Sequence, residues 1–155
     1  MRSLLPFVRS LSVSHGDSLG AESTALLVKT GGRRLGRLSR EVVAAIVESD
    51  DARRTAGLEP RFAFDEAGRT VTLAPWLALA DALTRTLEFA ALIDDWRRAG
   101  TFEVWPTSEV QHVYSPDGDA DSPVYFDIER SATALFGFPA IAVSVNGSSA
   151  GMMTA

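Results

Sequence analysis

Apolar side chains recur at three- and four-residue intervals along Trp76, Leu79, Leu83, Leu87, Ala90 and Ile93, with Asp81, Arg85, Glu88 and Asp95 interleaved. That period predicts one long amphipathic helix from Trp76 to Arg98, its apolar set turned inward and its charged set outward. Pro75 suits the first turn, where a missing N–H is no loss, and Gly100 suits the exit. Phe89, Leu92 and Trp96 widen the apolar arc in the second half, so that end is expected to be covered from more than one direction. A shorter helix is expected from Arg40 to about Glu48, capped by Ser39, with Glu41 in its first turn and Val42, Val43, Ile46 and Val47 on one side. The acidic "ESDDARR" that follows is expected to end it.

Elsewhere the period shortens to that of strands. "TALLVKTGGRRLGRLS" places two β-like runs about Gly31-Gly32, a dipeptide that supplies positive φ in hairpin turns. "RFAFDEAGRTVTLA" places two more, Arg61 to Phe64 and Thr70 to Leu73, about Gly68. "EVQHVYS" alternates as a strand, and "PDGDADSP" is a polar turn. Asp127 can then cap a short helix with Ile128, Ala132 and Leu135 inward, ended by Gly137, and "FPAIAVSVNG" reads as a last strand. The first twenty residues hold a weak apolar segment, "SLLPFVRSL", and a Gly/Ser-rich loop. The expected fold is α+β, with short hairpins packed on one long amphipathic helix.

Composition narrows the chemistry. With 155 residues, 46% of them apolar, the chain fits one domain with an ordinary core. Fifteen basic against twenty acidic residues give a net charge of −5 with no basic stripe, which argues against nucleic acid as a partner. The absence of cysteine excludes disulfides and thiolate sites and suits a cytoplasmic location, and no apolar run approaches the ~20 residues of a membrane helix. The opening "MRSLLPFVRSLSVSHG" has arginine and serine but no acid, as transit peptides do, although Pro6 interrupts that pattern.

Individual motifs are weak. Asp117, Asp119 and Asp121 alternate as in a calcium loop, but a calcium loop's glycine and closing glutamate fall on Ser122 and Ile128, so a solvated turn is the better reading. His112 lies mid-strand without a second ligand at fixed spacing and reads as structural; a catalytic role would need a partner carboxylate or nucleophile. His15 lies in the presumed loop. "SREVVAA" carries the Arg-Glu of a Nudix box, but Ala44 and Ala45 stand where its Mg²⁺-binding glutamates belong. Asp94, Asp95, Glu103 and Glu109 are the acidic group that a degenerate metal cluster would use, although they straddle a helix end and a loop without ligand spacing. Trp76 and Trp96 read as core, with Trp76 and Trp105 the candidate platforms for an aromatic ligand.

"YFDIERSATALFGFPAIAVSVNG" contains Glu129-Arg130-Ser131-Ala132, then Leu135-Phe136-Gly137, then Ala142-Val143-Ser144-Val145-Asn146-Gly147. This resembles the end of the domain of unknown function DUF4743, which precedes the catalytic domain in thiamine-pyrophosphokinase-related Nudix hydrolases. "SLLPFVRS", "RLGRLSREVVAAI", "RFAFDEAGRTVTL" and "WRRAGTFEVWPTSEVQHVY" resemble its earlier segments in the same order, with Ser39 in place of a usual proline. The resemblance implies that residues 1–136 are a DUF4743-like accessory domain containing the opening segment, and that residues 137–155 are the truncated start of a Nudix domain, including the first strand of its sheet. Ser144 replaces the family's histidine, and no Nudix box is present. The implied role is therefore non-catalytic, in substrate binding or dimerisation, with no catalytic or metal-ligating residue in this chain. Mg²⁺ would serve only full-length relatives. The implied partners are a Nudix catalytic domain or a second copy, and thiamine phosphates, with Trp76, Trp105 and Arg130 as ligand contacts. Two alternatives stand beside this: a Mg²⁺-dependent hydrolase of thiamine diphosphate or its analogues working through a separate or degenerate site, and a free-standing small-molecule binding module.

Overall fold

A computed structural model describes the backbone of residues 24–28 and, in full, residues 33–67, 69–116 and 122–139. The fold is α+β. Strands β1 (Thr24–Val28) and β2 (Arg34–Ser39) pair antiparallel, as do β3 (Phe62–Asp65) and β4 (Thr70–Leu73). Both expected hairpins are therefore present, but they are not separate units: β1 also pairs β4 in parallel, Leu26 opposite Thr70 through Val28 opposite Thr72. The result is one four-stranded sheet in the order β2-β1-β4-β3. A parallel join needs a long crossover, and helix α1 (Arg40–Thr55) lies within the connection that provides it.

Helix α1 starts where expected. Ser39 has extended backbone angles and its hydroxyl accepts from the Val42 N–H at 3.3 Å, satisfying a donor the helix leaves unpaired. The helix runs past Glu48, however, and the acidic stretch forms its C-terminal half. Asp51 and Arg54 pair across one turn at 2.8 Å, and Arg53 and Arg54 meet the negative end of the helix dipole.

The expected long helix is two. Pro75 opens the short α2 (Pro75–Ala78), the chain then bends through Leu79 and Ala80, and Asp81 caps α3 (Ala82–Ala99) by accepting from the Thr84 N–H at 2.7 Å. These hydrogen bonds from Thr84 hold the Asp81 carboxyl below the usual carboxylate range. The expected inner face is also wrong over the first half, because within α3 Leu83 and Leu87 lie on the side away from Phe89, Leu92 and Trp96, whereas Arg85 shares theirs. Leu79, Leu83 and Leu87 are 88%, 65% and 60% exposed, while Arg85, expected outside, is buried. Phe89, Leu92, Ile93 and Trp96 form the true inner face. Gly100 ends the helix in the left-handed region as expected, φ 68°.

Strand β5 (Val110–Tyr114) follows expectation, and its partner β6 (Val124–Glu129) corrects one. Asp127 does not cap a helix; it lies within β6 opposite His112. Val124 to Ile128 is rich in β-branched and aromatic residues, and pairing with β5 decides its conformation. Only after Glu129 does the chain coil, through a 3₁₀ turn at Arg130–Ala132 into α4 (Thr133–Phe136), with Gly137 at φ 60°. Of the expected last strand only Phe138 and Pro139 are described, and they are not in a strand; the rest of it, residues 117–121 of the "PDGDADSP" turn, Gly31-Gly32, Gly68 and the opening segment lie outside the described residues.

The core sits between the sheets and the inner face of α3. Phe89 lies at its centre, stacked on Phe126 at 4.4 Å and edge-on to Phe136 and Phe62 at 5.2 and 6.0 Å. The end of the chain's described part is locked to β2 by a close backbone approach. A Cβ added to Gly36 would lie 2.1 Å from the Phe136 carbonyl oxygen, and one added to Gly137 would lie 2.5 Å from that of Arg37.

Candidate functional site

Two buried polar clusters hold the elements that frame the site. Asp50, fully buried on α1, accepts the Arg61 and Phe62 N–H groups at 3.0 Å each, so the helix fixes the start of β3. Burial pushes the Asp50 carboxyl up, against the lowering effect of those two hydrogen bonds and of Arg61 and Arg54. Beside it, Glu88 of α3 accepts from Arg61 at 2.7 Å and from Arg53 at 3.3 Å, tying α1, β3 and α3 together. On α3, buried Arg85 donates to the carbonyls of Tyr125, Ala78 and Ala80, and its guanidinium lies 4.0 Å from the Tyr125 ring centroid.

With α1 and α3 held in this way, their C-terminal halves leave an open groove of about 370 Å³ between them. Ala45, Ala52 and Ala56 supply one wall, where small side chains keep the helix surface low, and Ala99 supplies part of the other. Trp96 contributes to the lining although it is only 3% exposed. Its ring stacks at 5.7 Å on Phe136 and meets Phe102 edge-on at 5.1 Å. The indole Nε1–H is buried with no hydrogen-bond partner among the described residues. Glu48 and Asp95 bring carboxylates to the groove and Arg53 a guanidinium. Asp95 is paired with Arg98 at 2.5 Å, and Arg53 is engaged by Glu88 and the Glu59 carbonyl. Glu48 is exposed and has no ion-pair partner among the described residues.

A smaller cavity of about 240 Å³ lies between β2, β5 and Pro139, lined in part by Arg34, His112, Tyr114 and Ser115. His112 has the carboxylate partner that sequence alone did not locate. Its Nδ1 lies 2.5 Å from Asp127 Oδ1, across the β5–β6 pair, and the imidazole is more than half exposed.

The sequence-derived ligand residues are dispersed. Trp76 is half-buried, donates from Nε1 to the Pro60 carbonyl at 2.7 Å and lies 5.8 Å from the Arg53 guanidinium. Trp105 is 78% exposed. Arg130 is exposed, pairs with Glu109 at 2.9 Å and donates its backbone N–H to the Glu109 carbonyl. None of the three lines either cavity. The acidic group also disperses: Asp94 pairs with Arg97, Asp95 with Arg98 and Glu109 with Arg130. Among the described residues no three His, Asp or Glu side chains gather so as to hold a metal ion. His15, Asp117, Asp119 and Asp121 lie outside the described residues.

Trp96 belongs to the core and also lines the groove, so its sequence pattern does not mark the groove. One signal was available: Ala45, Ala52 and Ala56 recur at helical spacing on one side of α1, a low strip facing an aromatic helix. No described helix is long and apolar enough to cross a membrane. No protein-family model matches the chain, and no curated protein matches it.

Proposed function

We propose that this chain is a non-catalytic accessory domain of the DUF4743 kind, working in the cytoplasm beside a Nudix-type hydrolase in thiamine diphosphate metabolism. Its contribution is substrate binding or dimerisation. Residues 1–136 form the accessory unit, and residues from Gly137 onward lead toward a Nudix sheet.

The observation that supports this reading is the meeting of two of the segments that carry the resemblance. "RLGRLS" contributes Gly36 and "ALFG" contributes Gly137, and their backbones approach so closely that neither position has room for a Cβ. A glycine at both places is then a joint requirement of the fold. The segment that would hand the chain on to a catalytic domain is thereby held against β2 in a defined orientation. The α1–α3 groove favours a second reading, a free-standing small-molecule binding module, since its volume falls in the ~300–1,000 Å³ range of ligand sites.

The test is an assay of the purified chain, alone and mixed with a Nudix domain that hydrolyses thiamine diphosphate, with Mg²⁺ throughout. The chain alone is expected to release no phosphate, and its addition is expected to lower the KM of the Nudix domain. Turnover by the chain alone, abolished by Asp94→Asn with the fold intact, would establish the hydrolase alternative instead. An unchanged KM, together with a monomeric chain that calorimetry shows not to bind thiamine diphosphate, would remove the accessory reading.

A further inference from the structure

We propose that the outward side of α3 is a self-association surface, on which two copies of this chain pair their α3 helices antiparallel about a two-fold axis near Ala90. Such pairing would supply the dimerisation named above, and in that respect it rests on the accessory-domain reading.

The surface is apolar where a helix normally turns its charges to water. Leu83 and Leu87 are 65% and 60% exposed, and Leu79, two residues before the cap of α3, is 88% exposed. Single surface leucines are ordinary, but several on one side of a helix mark a contact surface. At helical spacing the same side carries Ala90, Ala91, Asp94 and Arg98. From Leu83 to Ala91 it holds no charge, because Arg85 is buried against Tyr125 and Glu88 is turned to Arg61 and Arg53. A helix side that met only water would carry charged residues there.

The two ends of this side identify the occupant. Asp81, exposed at the N-terminal cap, forms no ion pair among the described residues, and Arg98 in the last turn has a side chain 75% exposed. Two α3 helices laid antiparallel over their full length bring the Arg98 of each beside the Asp81 of the other, at both ends, with their dipoles opposed. A parallel pair would set like charges and like dipole ends together. Midway lie Ala90 and Ala91, whose small side chains let the helices approach, and Leu87 of each copy then covers that alanine pair on the other. One surface complements itself in this way, as a two-fold contact requires. A single helix face is smaller than the ~1,600 Å² of a standard interface, so the dimer is weak and concentration-dependent.

Sedimentation equilibrium of the full chain tests this, with no hydrolase or thiamine compound present, so that failure here leaves substrate binding by an accessory domain standing. A monomer–dimer equilibrium is expected, with far-UV circular dichroism unchanged in every variant. Leu87→Glu, an exposed substitution, is expected to weaken dimerisation about a hundredfold or more, since it enters the two-fold interface twice. Arg98→Glu, a change of rim charge, is expected to weaken it about three- to tenfold. Leu58→Glu, comparably exposed but beside the α1–α3 groove, is expected to leave it unchanged. Because the chain has no cysteine, single ones report the orientation. Ala91 lies close to the proposed axis, whereas Arg98 would lie about 25 Å from its own copy. Ala91→Cys is therefore expected to form a disulfide-linked dimer under mild oxidation and Arg98→Cys to form none. A chain that stays monomeric up to its solubility limit, leaving the leucines to a different protein, would overturn the assignment. So would a dimer that Leu87→Glu does not weaken, one that Leu58→Glu weakens as much, or a disulfide through Arg98→Cys in place of Ala91→Cys.

Discussion

Gly36, Gly100 and Gly137 together separate two effects that a glycine substitution usually mixes. Gly100 has φ 68° but open space around its missing Cβ, so Gly100→Ala should cost only the left-handed strain, about 1–2 kcal/mol. Gly36 has no left-handed φ, but its added Cβ would lie 2.1 Å from the Phe136 carbonyl oxygen. Ordinary carbon–oxygen contacts begin near ~3.3 Å, so the two backbones must part by about 1 Å. Neither can yield cheaply, because Phe136 is stacked against Trp96 and Phe138 in the core and β2 is hydrogen-bonded to β1. Overpacking of this kind costs about 1–3 kcal/mol. Gly137 combines both, with φ 60° and Arg37 backbone atoms at 2.5 and 2.8 Å, so Gly137→Ala should cost about 2–5 kcal/mol. Total stability of such a domain is about 5–15 kcal/mol. In urea, with a slope of about 1–3 kcal/mol per molar, the Gly137→Ala midpoint should fall by about 0.7 M or more. The near-UV circular dichroism of Gly36→Ala should also weaken, as the stacked Phe136 and Trp96 rings loosen. If Gly137→Ala costs no more than Gly100→Ala, and Gly36→Ala costs nothing, the close approach does not constrain the fold and the reasoning fails.

Arg85→Met should cost about 3 kcal/mol or more in urea unfolding, since it leaves three carbonyls without their donor, and Arg85→Lys should restore little because an ammonium does not match that fork. Asp50→Ala should cost about 2–4 kcal/mol by stripping the acceptor from the Arg61 and Phe62 N–H groups. The folded state raises the Asp50 pKa, so ionisation is harder there than in the unfolded chain. Its contribution to stability should therefore decline as pH rises from the ordinary aspartate range through the raised value and level off above it. Plotting the stability difference between wild type and Asp50→Asn against pH should show that decline; a difference that grows with pH would contradict it. Ser39→Ala should cost about 1 kcal/mol and speed exchange of the Val42 amide proton, which hydrogen-exchange NMR reads directly.

The local signals were legible wherever a residue's own chemistry decides the outcome. Ser39 as a cap, Pro75 at a first turn, and Gly100 and Gly137 at helix exits all take the places their side chains or backbones favour. Apolar periodicity misled where a short-range cap outweighed it. "LALADALT" continues the helical pattern, yet Asp81 can satisfy the Thr84 N–H only by leaving one helix and starting another, and within α3 the side bearing Phe89, Leu92 and Trp96 turns inward and takes Arg85 with it, leaving Leu83 outside. β6 was hidden because an aspartate in an otherwise β-prone run is also a helix cap, and only its pairing with His112 across from β5 decides between the two. The groove was harder still. A tryptophan that packs on Phe136 and a tryptophan that lines a groove have the same sequence signature, and the Trp96 ring does both.

The three-residue parallel ladder between β1 and β4 also bears on how the chain reaches this state. Each hairpin closes over a short loop and can zip in about 1–10 μs. The β1–β4 ladder, from Leu26–Thr70 to Val28–Thr72, is the one strand pairing between them among the described residues and spans the whole of α1. Its closure entropy is spent before three residue pairs repay it. The expected slow step is the meeting of the two hairpins around α1, which folding rates of substitutions at that join against those at either turn would check. Substitutions that weaken the α1–sheet contact, rather than either turn, would control the speed of folding.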